Sequence, residues 1–262
     1  MLETAIKAAK IGGEILIANF NSLAAKNFTR KGDSDYVTEI DKLSQTAVVE
    51  YILKRFPSHA ILAEEAGGGI EGEDFRWIID PLDGTTNYIH GFPAFAVSVA
   101  VEKYEAGQEG FGPIQAGAVI NPLTNDLYYA EKGKGAFHNG RKITVSRCSE
   151  FRNALIATGF PFREKEYLDE FLNIFRRMFN SCSGIRRAGA AALDLCWTAS
   201  GALDGFWEKG LSVWDLAAGC LIVEEAGGVV SDFNGKYKYL ESGNIIAANP
   251  KIYPLMLNIL SN

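Results

Sequence analysis

Histidine and cysteine are scarce in this 262-residue chain, and each scarcity narrows what it can do. Its three histidines, His59, His90 and His138, form no HExxH pattern, which excludes the common imidazole-rich metal site. Its four cysteines, Cys148, Cys182, Cys196 and Cys220, form no CxxC pair, so they read as small core residues rather than a zinc cluster or redox pair. Any metal must be held by oxygen. Positive charge is also short, and a net charge of −6 argues against binding nucleic acid, whose phosphates need a basic surface. No apolar run approaches membrane-spanning length. The first residues mix both charge signs with Gly12 and Gly13, unlike a secretory leader, so the expectation is a cytoplasmic protein with no membrane partner.

What is present is an ordinary globular composition, 47% hydrophobic, with no repeat, low-complexity tract or linker to split it. One domain with two lobes, roughly 1–145 and 146–262, is expected. Leu2, Ile6, Ala9, Gly13, Leu16 and Phe20 alternate spacings of four and three, predicting an amphipathic first helix. Residues 26–39 are polar and predict an exposed, mobile loop. Thr38 and Asp41 resemble a capping box that opens a helix running to Phe56, where Pro57 stops it. Strands are predicted over 60–63, 95–101, 114–120 and 126–130, with a glycine-rich turn over 133–140 leading to 142–145. The later chain predicts helices over 167–179 and 190–199, a strand over 204–208, a helix from Ser212 to Gly227 and strands over 229–231 and 245–248. A closing helix covers 252–260. Asp215 is placed at a helix N-terminus, as an N-cap. The alternation predicts a layered α/β or α+β fold.

The chemistry concentrates at Trp77–Asn87. Trp77, Ile78 and Ile79 suit a buried strand, and Asp80 and Asp83 leave its end around a Pro-Leu pair. Gly84 permits a sharp turn or a close approach to a ligand, and Thr85, Thr86 and Asn87 suit the first turn of a helix whose N–H groups face an oxyanion. Hard oxygen ligands therefore stand beside an anion cradle, which suits a divalent cation on a phosphate. Glu64 and Glu65 end the 60–63 strand in the same way.

These residues resemble the inositol monophosphatase family of magnesium-dependent, lithium-sensitive phosphatases. Asp80-Pro81-Leu82-Asp83-Gly84-Thr85-Thr86-Asn87-Tyr88 is similar to its first signature. Trp214-Asp215-Leu216-Ala217-Ala218-Gly219 with Glu225-Ala226-Gly227-Gly228 is similar to its second. Glu64-Glu65 matches a Gly-Glu-Glu segment with Ala63 in place of glycine, and the run from Arg186 to Leu195 is similar to the bacterial branch.

The resemblance implies an α-β-α-β-α sandwich of the inositol monophosphatase and fructose-1,6-bisphosphatase type, assembled as a homodimer. It implies two or three Mg2+ ions held by Glu64, Asp80, the Leu82 carbonyl, Asp83 and Asp215, with Asp41 near a further metal. Phosphate would rest on Gly84 and Thr85, and substrate hydroxyls near Glu208 and the Gly189, Ala190 and Ala191 turn, with Glu64, Leu82, Asp83 and Asp215 also within reach of the substrate. Glu64, Thr85 and Asp41 are the expected catalytic residues, Glu64 and Thr85 positioning and deprotonating the attacking water, and Lys31 would lie on a loop that closes over the site. Asp41, Glu64, Glu65, Asp80, Asp83 and Asp215, if gathered, should hold raised pKa values until cations enter. Arg186 and Arg187 fit a solvated surface, a subunit interface or the substrate's surroundings, while Asp194 and Asp204 fit capping or structural hydrogen bonds. The implied reaction is hydrolysis of myo-inositol monophosphate. Alternatives are another small phosphomonoester (fructose 1,6-bisphosphate, an adenosine bisphosphate, histidinol phosphate or NADP) and a regulatory or binding protein on the same scaffold.

Overall fold

Strand residues alternate between two buried faces, and that alternation builds the layers. The computed structural model describes residues 1–22, 28–32, 35–65, 69–105, 109–161 and 165–261, the side chains of 28, 30–32 and 35–37 excepted. Helix α1 (Leu2–Asn19) is followed by β1 (Phe28–Gly32) and β2 (Asp35–Thr38), then α2 (Glu39–Leu53). Strands β3 (Ala60–Ala63) and β4 (Phe75–Asp83) precede the short α3 (Thr85–His90). Strands β5 (Ala96–Lys103), β6 (Ile114–Asn121), β7 (Asp126–Glu131), β8 (Ala136–His138) and β9 (Arg141–Ile143) complete a seven-stranded sheet in sequential order. Its β3–β4 pair is parallel and the rest antiparallel.

A second sheet has the order β11-β10-β12-β14-β13, from β10 (Leu155–Thr158), β11 (Gly184–Arg186), β12 (Gly205–Glu208), β13 (Val229–Ser231) and β14 (Ile245–Ala248). Helices α4 (Leu168–Ser181), α5 (Ala191–Ala199), α6 (Val213–Glu225), α7 (Tyr239–Ser242) and α8 (Tyr253–Leu260) lie between and after these strands.

In β5, Val97, Val99 and Val101 pack against α1 and α2, while Ala96 and Ala100 join the core of α5 and α6. In β14, Ile245 and Ala247 face that same middle core, and Ile246 and Ala248 pack with Ile174 and Met178 of α4 and Met256 of α8. Both sheets are thus covered on both faces, which gives an α-β-α-β-α sandwich and explains strands that are apolar throughout. Small residues let the middle layer close. A Cβ on Gly117 of β6 would stand 2.9 Å from the Cα of Ala218, and one on Gly219 would stand 2.6 Å from Leu195. The Ala217-Ala218-Gly219 stretch therefore sets how near α6 comes to a sheet on one side and to α5 on the other.

Several expectations are corrected. The polar 26–39 segment holds an antiparallel pair, β1 with β2, rather than loop alone, because Thr29, Tyr36, Val37 and Thr38 supply strand-forming residues among the charges. The side chain of Lys31, together with Gly67 and Gly68, lies outside the described residues. The 133–140 turn contains β8, and β10, β11 and α7 are short elements that the sequence did not lead us to expect. Helix α2 ends at Leu53, ahead of Phe56. Among the described residues, no helix is long and apolar enough to cross a membrane.

Candidate active site

Three acidic side chains converge where the C-terminal end of β4 meets the first turn of α6. Ligand-capable oxygens of Asp80, Asp83 and Asp215 all lie within 4.8 Å of one another. Each carboxylate also accepts a backbone N–H that aims it. Leu82 N donates to Asp80 Oδ1 at 2.9 Å, Ala192 N to Asp83 Oδ2 at 2.8 Å and Ser212 N to Asp215 Oδ2 at 2.8 Å. Asp215 is therefore not the N-cap of α6; Ser212 is, and Asp215 stands three residues later, reaching back to it. The same carboxylate that orders the helix start also belongs to the cluster.

The trio lines a cleft of about 370 Å³ that also receives Glu64, Leu82, Gly84, Thr85, Gly189, Ala190, Ala191 and Glu208. All the expected metal and substrate positions thus come to one cavity. Asp41 does not line it. It is buried behind Thr85, whose hydroxyl donates to Asp41 Oδ1 at 3.3 Å or to the Leu82 carbonyl at 3.2 Å. The other Asp41 oxygen accepts Thr38 N at 2.9 Å and the Thr38 hydroxyl, completing the capping box of α2. Glu65 is also buried outside the cleft, its backbone paired with the Gln45 side chain, at 2.8 Å through N and 2.6 Å through O.

Burial raises the carboxyl pKa values of this region. Asp80 is pushed well above its ordinary range, first by desolvation and then by Glu64, Asp83 and Asp215. Asp83 rises to about 7 by desolvation and the charge of Asp215, against the N–H groups of Ala192 and Ala191 and the Arg187 guanidinium, which favour its charged form. Asp41 rises to about 6, again by desolvation, with Thr38 opposing and Glu65 reinforcing. A site that disfavours its own ionisation in this way is suited to a cation, and a donor set of carboxylate and carbonyl oxygen without sulfur or imidazole fits Mg2+.

The tertiary structure adds residues that the sequence left open or missed. Arg187 lines the cleft, its guanidinium 5.2 Å from the Phe160 ring, whereas Arg186 is exposed on β11. Gly159 carries no side chain because the Glu208 carboxylate occupies the position its Cβ would take. Asp204 is structural as expected, accepting Ser146 Oγ at 2.5 Å and Leu155 N at 2.7 Å. Asp194 is not: it is buried on α5, and neither carboxylate oxygen has a hydrogen-bond partner among the described residues. Cys196 and Cys220 are buried core residues, Cys148 and Cys182 are half-buried, and all four thiols are free.

Known proteins are similar to this chain in sequence and fold. The "Nus factor SuhB" of Pseudomonas aeruginosa is 45% identical over 265 residues, covering 99% of this chain and 95% of that protein. The crystal structure of the extragenic suppressor protein suhB from Bartonella henselae superimposes with a TM-score of 0.92 at 39% identity, over 99% of this chain and 98% of that one. The inositol monophosphatase of Anabaena superimposes with a TM-score of 0.84 at 36% identity, over 99% and 94%. The model of the inositol monophosphatase family matches residues 1–262. Matched along its whole length, the chain belongs to the inositol monophosphatase family.

Proposed function

We propose that this chain is a Mg2+-dependent phosphomonoesterase that hydrolyses a small polyol phosphate, with myo-inositol monophosphate the first choice. The observation that carries it is the convergence of Asp80, Asp83 and Asp215 within 4.8 Å in the wall of a cleft that Glu208 also lines. Glu64, Asp80, the Leu82 carbonyl, Asp83 and Asp215 would hold two or three ions. When bound, they supply positive charge that neutralises phosphate and lowers the pKa of water they hold. Glu64, in the cleft wall, orients the attacking water and accepts its proton. The Thr85 oxygen receives the water's hydrogen bond, because its own proton is committed to Asp41 or to the Leu82 carbonyl. Phosphate rests on Gly84 and Thr85, where the first turn of α3 presents N–H groups. Glu208 and the Gly189–Ala191 backbone take the hydroxyls of the leaving alcohol.

Phosphate release from a panel of esters in Mg2+ tests this reading, with myo-inositol monophosphate, fructose 1,6-bisphosphate, an adenosine bisphosphate, histidinol phosphate and NADP compared. Inositol monophosphate is expected to give the highest kcat/KM. Absence of Mg2+-dependent release from every ester would end the enzymatic reading.

A second reading is favoured by the name of a relative, a Nus factor 45% identical to this chain. This protein would then act as a factor alongside other proteins, on the same scaffold and with or without catalysis. A homodimer, a cytoplasmic location and lithium sensitivity are proposed together with the enzymatic reading.

A further inference from the structure

Asn87 ties the first signature to a turn 101 residues away. It lies in α3, half-buried, and its Nδ2 donates to the carbonyls of Ala94 at 2.6 Å, Ala188 at 2.9 Å and Gly189 at 3.2 Å. An amide nitrogen has two hydrogens, so the three acceptors share them. Gly84 abuts the same surface: a Cβ there would stand 2.9 Å from the Ala94 oxygen and 3.3 Å from the Gly189 oxygen. Gly189 is itself in the left-handed region at φ +84°, and a Cβ on it would crowd Arg187 and come within 3.3 Å of the Asn87 amide.

The turn is held at a second point by Asp83, which accepts Ala192 N at 2.8 Å and so caps α5, a helix whose own N-cap, Ala190, offers no side-chain acceptor. One residue of the metal-side segment therefore takes an N–H from the turn, and another gives an N–H to it. In a planar trans peptide the carbonyl and the following N–H point in opposite directions. With the Ala188 and Gly189 carbonyls drawn to Asn87, the N–H groups of Gly189 and Ala190 are fixed pointing away from it. Gly189, Ala190 and Ala191 are the part of this turn that lines the cleft.

We propose that Asn87 is a positioning residue for the alcohol half of the substrate. It orders the Gly189–Ala191 backbone against the metal-side turn and so governs recognition of the leaving group rather than attack on phosphorus. This rests on the phosphomonoesterase reading of the same cleft. It predicts a split by substrate. A polyol phosphate needs the ordered turn; 4-nitrophenyl phosphate, which brings no hydroxyls, does not.

The test compares wild type, Asn87→Ala and Asn87→Asp on myo-inositol 1-phosphate and on 4-nitrophenyl phosphate, at saturating Mg2+. For Asn87→Ala, KM for the inositol ester is expected to rise roughly tenfold, the effect of losing order worth one or two hydrogen bonds. Its kcat, and kcat/KM for the aryl ester, should stay within about threefold of wild type. Asn87→Asp, which turns an acceptor toward three carbonyls, should be worse on the inositol ester and again spare the aryl one. Equal losses on both esters would mean a merely structural role and overturn the proposal, as would no change on either. Hydrogen exchange of the peptide covering 184–195, read without substrate, is expected to speed up in both variants; unchanged exchange also overturns it. If wild type hydrolyses neither ester, the parent reading fails and the substrate role with it, while exchange still reports whether Asn87 orders the turn.

Discussion

Asp83 serves two structures at once, since one oxygen caps α5 through Ala192 N at 2.8 Å while the carboxylate stands in the acidic cluster. Removing it would disturb both, so it is a poor probe of mechanism. Glu64 is a better one, being in the cleft wall. Glu64→Gln keeps its size and removes the proton acceptor. Turnover is expected to fall roughly 10²-fold or more with KM little changed, and near-wild-type turnover in a phosphate-release assay would sink the assignment of Glu64 as base. Asp194 offers the opposite contrast. Its carboxyl pKa is pushed well above the ordinary range by desolvation and by the charges of Glu208 and Asp83. A group whose folded pKa is raised binds its proton more tightly folded than unfolded, so its burden on stability grows as pH rises above the ordinary carboxylate range. Asp194→Asn is therefore expected to raise the urea midpoint of the metal-free protein more at pH 8 than at pH 5, the pH values being about a unit or more above ordinary carboxylates. An equal shift at both would show that the carboxyl is not the burden.

At the scale of elements, capping and close packing decide what forms. The boxes at Thr38–Asp41 and Ser212–Asp215 start α2 and α6 and, in the same step, place Asp41 behind Thr85 and Asp215 in the cluster. The Thr38–Asp41 box is legible in sequence, whereas Asp215 reads there as the N-cap itself and joins the metal ligands only through the family resemblance. The contact between β6 and α6 is of another kind. Because a Cβ on Gly117 would meet the Cα of Ala218 at 2.9 Å, Gly117→Ala must push α6 away from its sheet. A loss of about 1–3 kcal/mol is expected from such overpacking, read as a lower urea midpoint with an unchanged slope. Since α6 carries Asp215, the Mg2+ concentration for half-activation should rise alongside. Strands β10 and β11, of four and three residues, are not among the strands expected from sequence, although β3, β13 and β14 are as short.

For the molecule as a whole, the acidic cluster ties stability to pH and to metal. Asp41 and Asp83 hold their protons to about pH 6 and 7 when folded, against 3.8 for an ordinary aspartate. Between those limits the folded chain binds more protons than the unfolded one, so stability falls as pH rises. The metal-free protein should thus melt at a lower temperature at pH 8 than at pH 5, each kcal/mol being worth about 2–4 °C in a chain of this size. Mg2+ competes with those protons and is expected to raise the melting temperature more at pH 8 than at pH 5. Calorimetry with and without Mg2+ checks both, and a metal-free protein most stable at pH 8 would contradict the shared cause.

The order of residues by itself determined the chemistry on offer: oxygen ligands at the end of one strand and the start of one helix, a glycine that opens the turn leaving that strand, and apolar runs fit for strands buried on both faces. Those are local matters, set by neighbours a few positions apart. Only the tertiary structure decided that Asp80, Asp83 and Asp215 meet while Asp41 and Glu65 stand behind them, that Asn87 reaches Ala188 and Gly189, and that Asp194 is buried without a hydrogen-bond partner among the described residues. Desolvation and hydrogen bonds between segments a hundred residues apart arise from how the layers stack, and no local pattern of residues records them.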